Sequence, residues 1–390
     1  MHRVTANAVA DRPAETSSRA YSCLHRRGCY ATTLRVRVCH QTLGGRMHAP
    51  ASVCRMSDLG GELDALASGT GFSGVVRIDQ SDRIELARAY GLAHRGFEIP
   101  NAVDTRFGIA SGAKGLTALA VVSLIEEGVL ELSTLAHSVL GGDLPLIDDG
   151  VTVEHLLSHR SGIGDYLDEE AGFEAEEYVM PVPVHELATT EDYLAVLDGH
   201  ASKFAPGERF AYCNAGYVVL ALIAERASGM PFHELVEQRV CRRAGLTDTA
   251  FLRSDELPAR TALGYVEVDG EWRSNVFHLP VRGSGDGGIY STAADMSSFW
   301  RAFFAGRIVS TDWVAEIVRP RSDAPAQSKR YGLGFWLHTS NDAVLLEGYD
   351  AGVSFRSVHD PRARVTLTVI SNTSDGAWPI ARYLEHAASG

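Results

Sequence analysis

Residues 111–128 read SGAKGLTALAVVSLIEEG. The apolar-periodic run from Leu116 to Ile125 predicts a helix that opens on Ser111 to Lys114, and Glu126, Glu127 and Gly128 close it. Working outward, 72–78 and 84–90 are short β-branched or apolar runs separated by the polar segment 79–83, which predicts a hairpin. Segments 214–227 and 232–243 read as helices, ended by Gly229-Met230-Pro231 and by Gly245. Near the other end, 332–338, 343–346, 353–358 and 365–371 read as strands, and 378–388 as a closing helix. The strands therefore come from both ends of the chain. This predicts an α+β fold in which an antiparallel sheet, formed by the two chain ends and flanked by helices, carries a mostly helical inserted subdomain.

The 390 residues hold 36 Lys+Arg against 49 Asp+Glu, a formal charge of −13, with 45% hydrophobic residues. Such a balance repels phosphate backbones, so no nucleic acid partner is expected. Nine Arg against Asp11 and Glu15 give residues 1–55 a balance of +7, which leaves −20 for the remainder. That segment also carries four of the six Cys and lacks both helical and strand periodicity. It is read as a disordered leader or a misassigned start, and 56–390 as the folded domain. Arg35, Arg37 and His40 break the apolar runs that a secretory signal needs, and no stretch approaches about 18 uninterrupted apolar residues. No membrane span is expected, and a cytoplasmic location follows as the expectation. Cys213 and Cys241 are the only cysteines left in the body, so no disulfide framework is expected.

Ser111 and Lys114 are three residues apart, which on a helix sets the amine one turn from the hydroxyl. Serine at neutral pH is a poor nucleophile, and an amine whose pKa is lowered by burial can take its proton. A helix N-terminus adds a positive end and a backbone N–H for an oxyanion. The pattern alone also fits an ordinary exposed lysine near a cap. Scarcity raises its weight: Lys114, Lys203 and Lys329 are the only lysines, and an arginine holds its proton too tightly to serve as a base. Tyr212-Cys213-Asn214 precedes the helix predicted from 214. A Tyr near a Lys ammonium reaches the phenolate more easily and can pass the Ser proton to a leaving group, while Asn214 can bond both Lys114 and a substrate carbonyl.

With these pieces the sequence resembles the serine β-lactamases and penicillin-recognising enzymes, and within them the class C-like branch with its esterases and D-peptidases. The resemblance spans about residues 60–385. It rests on SGAK at 111–114, LLSHRSGI at 156–163, FAPGERFAYCNAGY at 204–217, GGIYSTAADMSSFW at 287–300, and GVSFRSVHDP with VISN within 352–372. A Tyr about a hundred residues after the serine favours the class C type. The implied fold is β-lactamase/transpeptidase-like. The implied roles are Ser111 as nucleophile, Lys114 and Tyr212 as the proton-exchanging pair, and Asn214, Gly348 and Tyr349 at the substrate and oxyanion side, Tyr349 giving the second oxyanion N–H. The family's third motif, a Lys, His or Trp followed by any residue and Gly, falls without gaps on Leu346-Glu347-Gly348. A shifted alignment sets Tyr349-Asp350-Ala351 there, and either way the usual cation is missing. Gly348 allows close backbone approach, there on an edge strand.

Arg356 is near enough in sequence to stand in for that cation. His159 is read as a loop residue behind the site, not as a triad base. The histidines form no HExxH and have no CxxC partner, so no metal and no cofactor are expected. The glycines at 283, 285, 287 and 288 around Asp286 lack a following GK[ST] and read as a tight loop lining the site. The expected activity is a serine hydrolase forming an acyl-enzyme on Ser111 with a small-molecule ester or amide, carboxylic esters first. β-Lactams or D-amino-acid peptides are the second reading, and a non-hydrolytic binding or sensor protein is the rival from another class. The residues leave the oligomeric state open.

Overall fold

The computed structural model describes residues 51–171 and 177–389, with side chains over 59–170 and 177–387. The leader expected over 1–55 thus lies outside the described residues up to position 50, and its last five residues belong to helix α1 (Ala51–Thr70). Strands β1 (Gly74–Gln80) and β2 (Arg83–Tyr90) form the expected hairpin. Helix α2 (Ala113–Glu126) follows the serine, and α3 (Asn214–Ser228) follows Tyr212. After α4 (Ala293–Phe304) come β3 (Ser322–Ala324), β4 (Lys329–Tyr331), β5 (Trp336–His338), β6 (Val344–Asp350), β7 (Val353–Asp360) and β8 (Val365–Ser371), then α5 (Ala377–Ser389).

These strands make one antiparallel sheet in the order β2-β1-β8-β7-β6-β5-β4-β3, so the first and last strands of the fold meet at β1 and β8. Segment 332–338, expected as one strand, is instead broken. Tyr331 pairs with Trp336, and Gly332 to Phe335 turn the chain between β4 and β5. The helix expected over 232–243 is present but carries a π-helical turn at Glu237–Cys241. Such an insertion is a local widening of the helix and leaves no trace in apolar periodicity.

The sheet is buried on both faces, which is why its central strands read as near-continuous apolar runs. On one side Leu63, Ala67, Phe72, Val76, Val369, Ile380 and Leu384 pack α1 and α5 against it. On the other, Val75, Leu346, Phe355 and Ile370 meet α2, α3 and α4. Helix α2 is enclosed from Ala113 to Leu124, and a helix apolar all round belongs inside a large core. Among the described residues no helix is long and apolar enough to cross a membrane.

Close approach between α2 and the sheet depends on small residues. A β-carbon on Gly115 would fall 2.6 Å from a Leu346 methyl, and one on Gly112 would fall 2.6 Å from the Phe355 ring. The α1–α5 layer sits on the opposite side of the sheet from α2. Leu63→Ala, at a fully buried position of that layer, is therefore expected to lower unfolding free energy by about 2–5 kcal/mol in urea titration, while activity per folded molecule is unchanged.

Candidate active site

Ser111 sits in a 3-10 turn, Ala110–Gly112, immediately before α2 and not in its first α-helical turn. Ala110 has φ 43, in the left-handed region, a conformation that non-glycine residues avoid and that tends to be held at functional turns. Isoleucine 109 ties the turn down: its N–H bonds the Ile289 carbonyl, and its carbonyl accepts from Gly112 N–H. The hydroxyl is thereby presented at the open end of a fully buried helix.

Lys114 is 2% exposed. Its Nζ lies 2.9 Å from Ser111 Oγ, 2.8 Å from Asn214 Oδ1 and 2.8 Å from the Asp286 carbonyl oxygen. The last two are acceptors only, so they take two N–H bonds of the amine. The remaining direction faces Ser111. As an ammonium Lys114 donates its third hydrogen there; as a neutral amine it offers its lone pair to the Ser111 O–H. Burial pulls the Lys114 pKa below its ordinary value, opposed by the charges of Asp286, Glu169 and Asp165. The amine form needed to deprotonate serine is thus favoured by the site itself.

The ring of Tyr212 stands 5.0 Å from Lys114 Nζ. Its own pKa moves opposite to the expectation of an accessible phenolate. Burial, with Glu169 next in effect, pushes it well above the ordinary value, and the hydrogen bond with Ser111 only partly offsets this. A neutral phenol can relay a proton but is a poor base, which leaves Lys114 as the candidate base. Behind Tyr212 lies an aromatic wall: His159 at 4.3 Å between ring centres and Trp336 stacked at 5.8 Å. His159 is the buried loop residue expected, with φ 55. Its Nδ1 accepts from Cys213 N–H, so the ring proton is on Nε2, which has no hydrogen-bond partner. Burial holds its pKa well below the ordinary value, and because its lone-pair nitrogen is taken by Cys213 N–H it is not placed as a triad base.

Asn214 meets half of its expected role. Oδ1 accepts from Lys114, but Nδ2 donates to Leu167 O and Glu169 Oε1 and is not turned to a substrate. Nor does Asn214 cap its helix. The Asp165 carboxylate does so from a distance, accepting from Asn214 N at 2.6 Å and Ala215 N at 2.9 Å, which satisfies amides that a helix start leaves open.

Gly348 lies where β6 meets the serine turn. Strand β6 pairs with β5 only at Leu345 and Val344, so from Leu346 onward that side is left to the turn. This corrects the edge-strand expectation, because β6 is interior in the sheet and only its last residues have an open side. A β-carbon on Gly348 would fall 2.1 Å from Ile109 O and 3.0 Å from Ser111 N. Leu346 shares this face, and its side chain is buried against Gly115. Tyr349-Asp350-Ala351 instead runs into the turn to β7, with Gly352 at φ 70. Arg356 does not replace the missing cation. It pairs with Glu347, which alternates to the other face, and with Glu385 of α5. Lys329 is bound to Glu347 as well.

The sequence reading missed four carboxylates near Lys114: Asp165, Glu169, Asp286 and Asp350. Asp286 lies in the glycine loop read as lining the site, the one signal available. Its carboxylate accepts from Tyr166 O–H at 2.5 Å.

A serine hydroxyl, a buried amine facing it and a phenol beside both are the groups that serine acyl transfer calls for. The β-lactamase family model matches residues 63–389, and the chain belongs to that family. It is 27% identical to penicillin-binding protein 4* of Bacillus subtilis over 324 residues, 78% of this chain and 69% of that one. Esterase EstB of Burkholderia gladioli is 30% identical over 277 residues, 64% of this chain and 70% of the esterase. The crystal structure of a penicillin binding protein from Bacillus halodurans superposes with a TM-score of 0.79 at 35% identity, covering 83% of this chain and 99% of that one.

Lys114→Arg is expected to lower kcat/KM by about 10²–10⁴-fold, the range for a positioned general base, because the guanidinium cannot give up its proton. In the parent, kcat/KM is expected to fall as pH drops through the lowered Lys114 pKa, since the protonated form cannot accept the Ser111 proton. Gly348→Ala forces β6 off the serine turn and is expected to lower kcat by about 10²–10³-fold, as loss of an oxyanion donor does. A steady-state pH series on the three proteins checks all of this.

Proposed function

We propose that this chain is a serine hydrolase that forms an acyl-enzyme on Ser111 and acts on carboxylic esters. The observation that carries the reading is the Lys114 amine, held by two pure acceptors so that its third direction faces Ser111 Oγ. Lys114 takes the Ser111 proton as Oγ attacks the ester carbonyl carbon. The Ser111 and Tyr349 amides bear the oxyanion. The bond from the acyl carbon to the alcohol oxygen then breaks, and the proton passes through Tyr212 to that oxygen. A water adds to the acyl-enzyme by the same route in reverse, giving the free acid and Ser111.

The preference for esters over β-lactams and D-alanyl peptides rests on position 346. A cation there contributes an anchoring contact of about 1.5–3 kcal/mol to an anionic acyl donor, and Leu346 supplies none. Neutral esters lose nothing by the change.

A fluorophosphonate probe followed by intact-mass measurement tests the nucleophile, and p-nitrophenyl esters, nitrocefin and D-alanine p-nitroanilide test the substrate. The expected result is one adduct, absent in Ser111→Ala, with ester turnover well above that of nitrocefin. Labelling without any turnover would favour an acylating sensor, and no labelling a binding protein. A nitrocefin kcat/KM near ~10⁶ M⁻¹s⁻¹, an ordinary enzyme value, would overturn the ester preference.

A further inference from the structure

Strand β6 carries a carboxylate past the oxyanion position. Asp350 is two residues beyond Gly348 and shares its face, the face that abuts Ile109 O and Ser111 N. It is close enough to Lys114, Asp286 and Glu169 to feel their charges, and its own charge reaches Tyr178 and Tyr193 of the helical insertion. It therefore stands on the serine side of the sheet, toward the helical insertion, and not on the α1–α5 side.

The neighbouring carboxylates are committed to the protein. Asp165 accepts from Leu167, Asn214 and Ala215 N–H, Asp286 from the Tyr166 hydroxyl, and Glu169 from Asn214. Asp350 is half-buried, and the one hydrogen bond of its carboxylate among the described residues is from the Ala351 N–H of its own turn to Oδ1. Burial, with the Asp286 charge adding to it, pushes its pKa to about 7, while the Ala351 N–H and Lys114 act the other way.

An independent feature of the same strand points to the sign of the ligand. The position that would carry a cation for an anionic acyl donor holds Leu346, buried against Gly115. Lys329 and Arg356 are bound to Glu347 behind the strand. The strand thus presents a carboxylate on the serine side, while the cations of β4 and β7 are held behind it.

We propose that Asp350 is a specificity-determining residue that selects acyl donors whose acyl chain carries a protonated amine. The inference rests on the acyl-enzyme reading above and adds the substrate class. An ammonium beside Asp350 displaces the proton that Asp350 shares with its surroundings near neutral pH and satisfies a carboxylate that is otherwise repelled by Asp286 and Glu169. In a partly desolvated cleft such a pair is far stronger than on an open surface.

The test measures labelling rates of Ser111, so it does not depend on guessing a turnover substrate. The probes are fluorophosphonates bearing ω-ammonioalkyl chains of two to four methylenes, each against the alkyl chain in which methyl replaces ammonium. Ser111 Oγ displaces fluoride at phosphorus, and its proton leaves through Lys114. At least one ammonio probe is expected to label the full chain ten times faster than its alkyl control or more. Asp350→Asn, and Asp350→Ser as a second variant, are expected to reduce that ratio to within about threefold. The ratio in the unaltered chain is also expected to grow from pH 6 to pH 8 as Asp350 ionises. A ratio at or below one at every chain length, or a ratio unchanged in both variants, overturns the proposal while leaving the nucleophile assignment standing. Failure of every probe to label Ser111 overturns the hydrolase reading and this inference with it.

Discussion

The site depends on burying one amine. Lys114 is in a helix enclosed from Ala113 to Leu124, and an unpartnered ammonium there would be prohibitive. Three segments far apart in sequence resolve this. Asn214 and the Asp286 carbonyl take two N–H bonds, and Ser111 meets the third direction. The placement of α2 against α3, and of the 283–288 loop against both, follows from the same requirement. Thr117 bonds the Gly285 carbonyl one turn further along α2, which fixes the loop that offers the Asp286 carbonyl.

A second constraint is the approach of β6 to the serine turn. The strand pairs with β5 only at Val344 and Leu345, and beyond them Gly348 comes up against the serine turn at Ile109 O and Ser111 N. What holds it in place is behind it. Glu347 alternates to the far face and binds Lys329 of β4 and Arg356 of β7, and Arg356 also reaches Glu385 of α5. These cations hold the Glu347 pKa at about 2 although the group is buried. Buried pairs of this kind contribute register more surely than net stability. Here register matters, since one residue of slip would turn Leu346 and Gly348 away from the serine turn.

The elements built from unbroken apolar periodicity were legible in the sequence: α2, α3, α5, the β1–β2 hairpin and β8 stand within a few residues of where the pattern puts them. The meeting of Ser111, Lys114, Tyr212 and Asn214 followed from motif chemistry. Features without local periodicity were not legible. The turn at Gly332 to Phe335 lies inside an apolar run, because Tyr331, Leu333, Phe335, Trp336 and Leu337 are all buried. The Tyr212 pKa direction depends on burial and on Glu169, which distant segments bring together. Which face Arg356 takes depends on Glu347 as its partner. The carboxylates of the site come from loops and a strand end, where no spacing rule applies.

Those carboxylates give the proton transfer its balance. Desolvation pulls the Lys114 pKa down and so favours the free amine. Asp286, Glu169 and Asp165 pull it back up. A base is most effective when neither form is strongly disfavoured at the working pH, and these effects act on Lys114 in opposite directions. Asp350 couples to the same balance, since Lys114 lowers its pKa and the influence must be mutual. An ammonium bound beside Asp350 would cancel one negative charge near Lys114 and shift the lysine toward the free amine at the moment an acyl carbon is in place for attack.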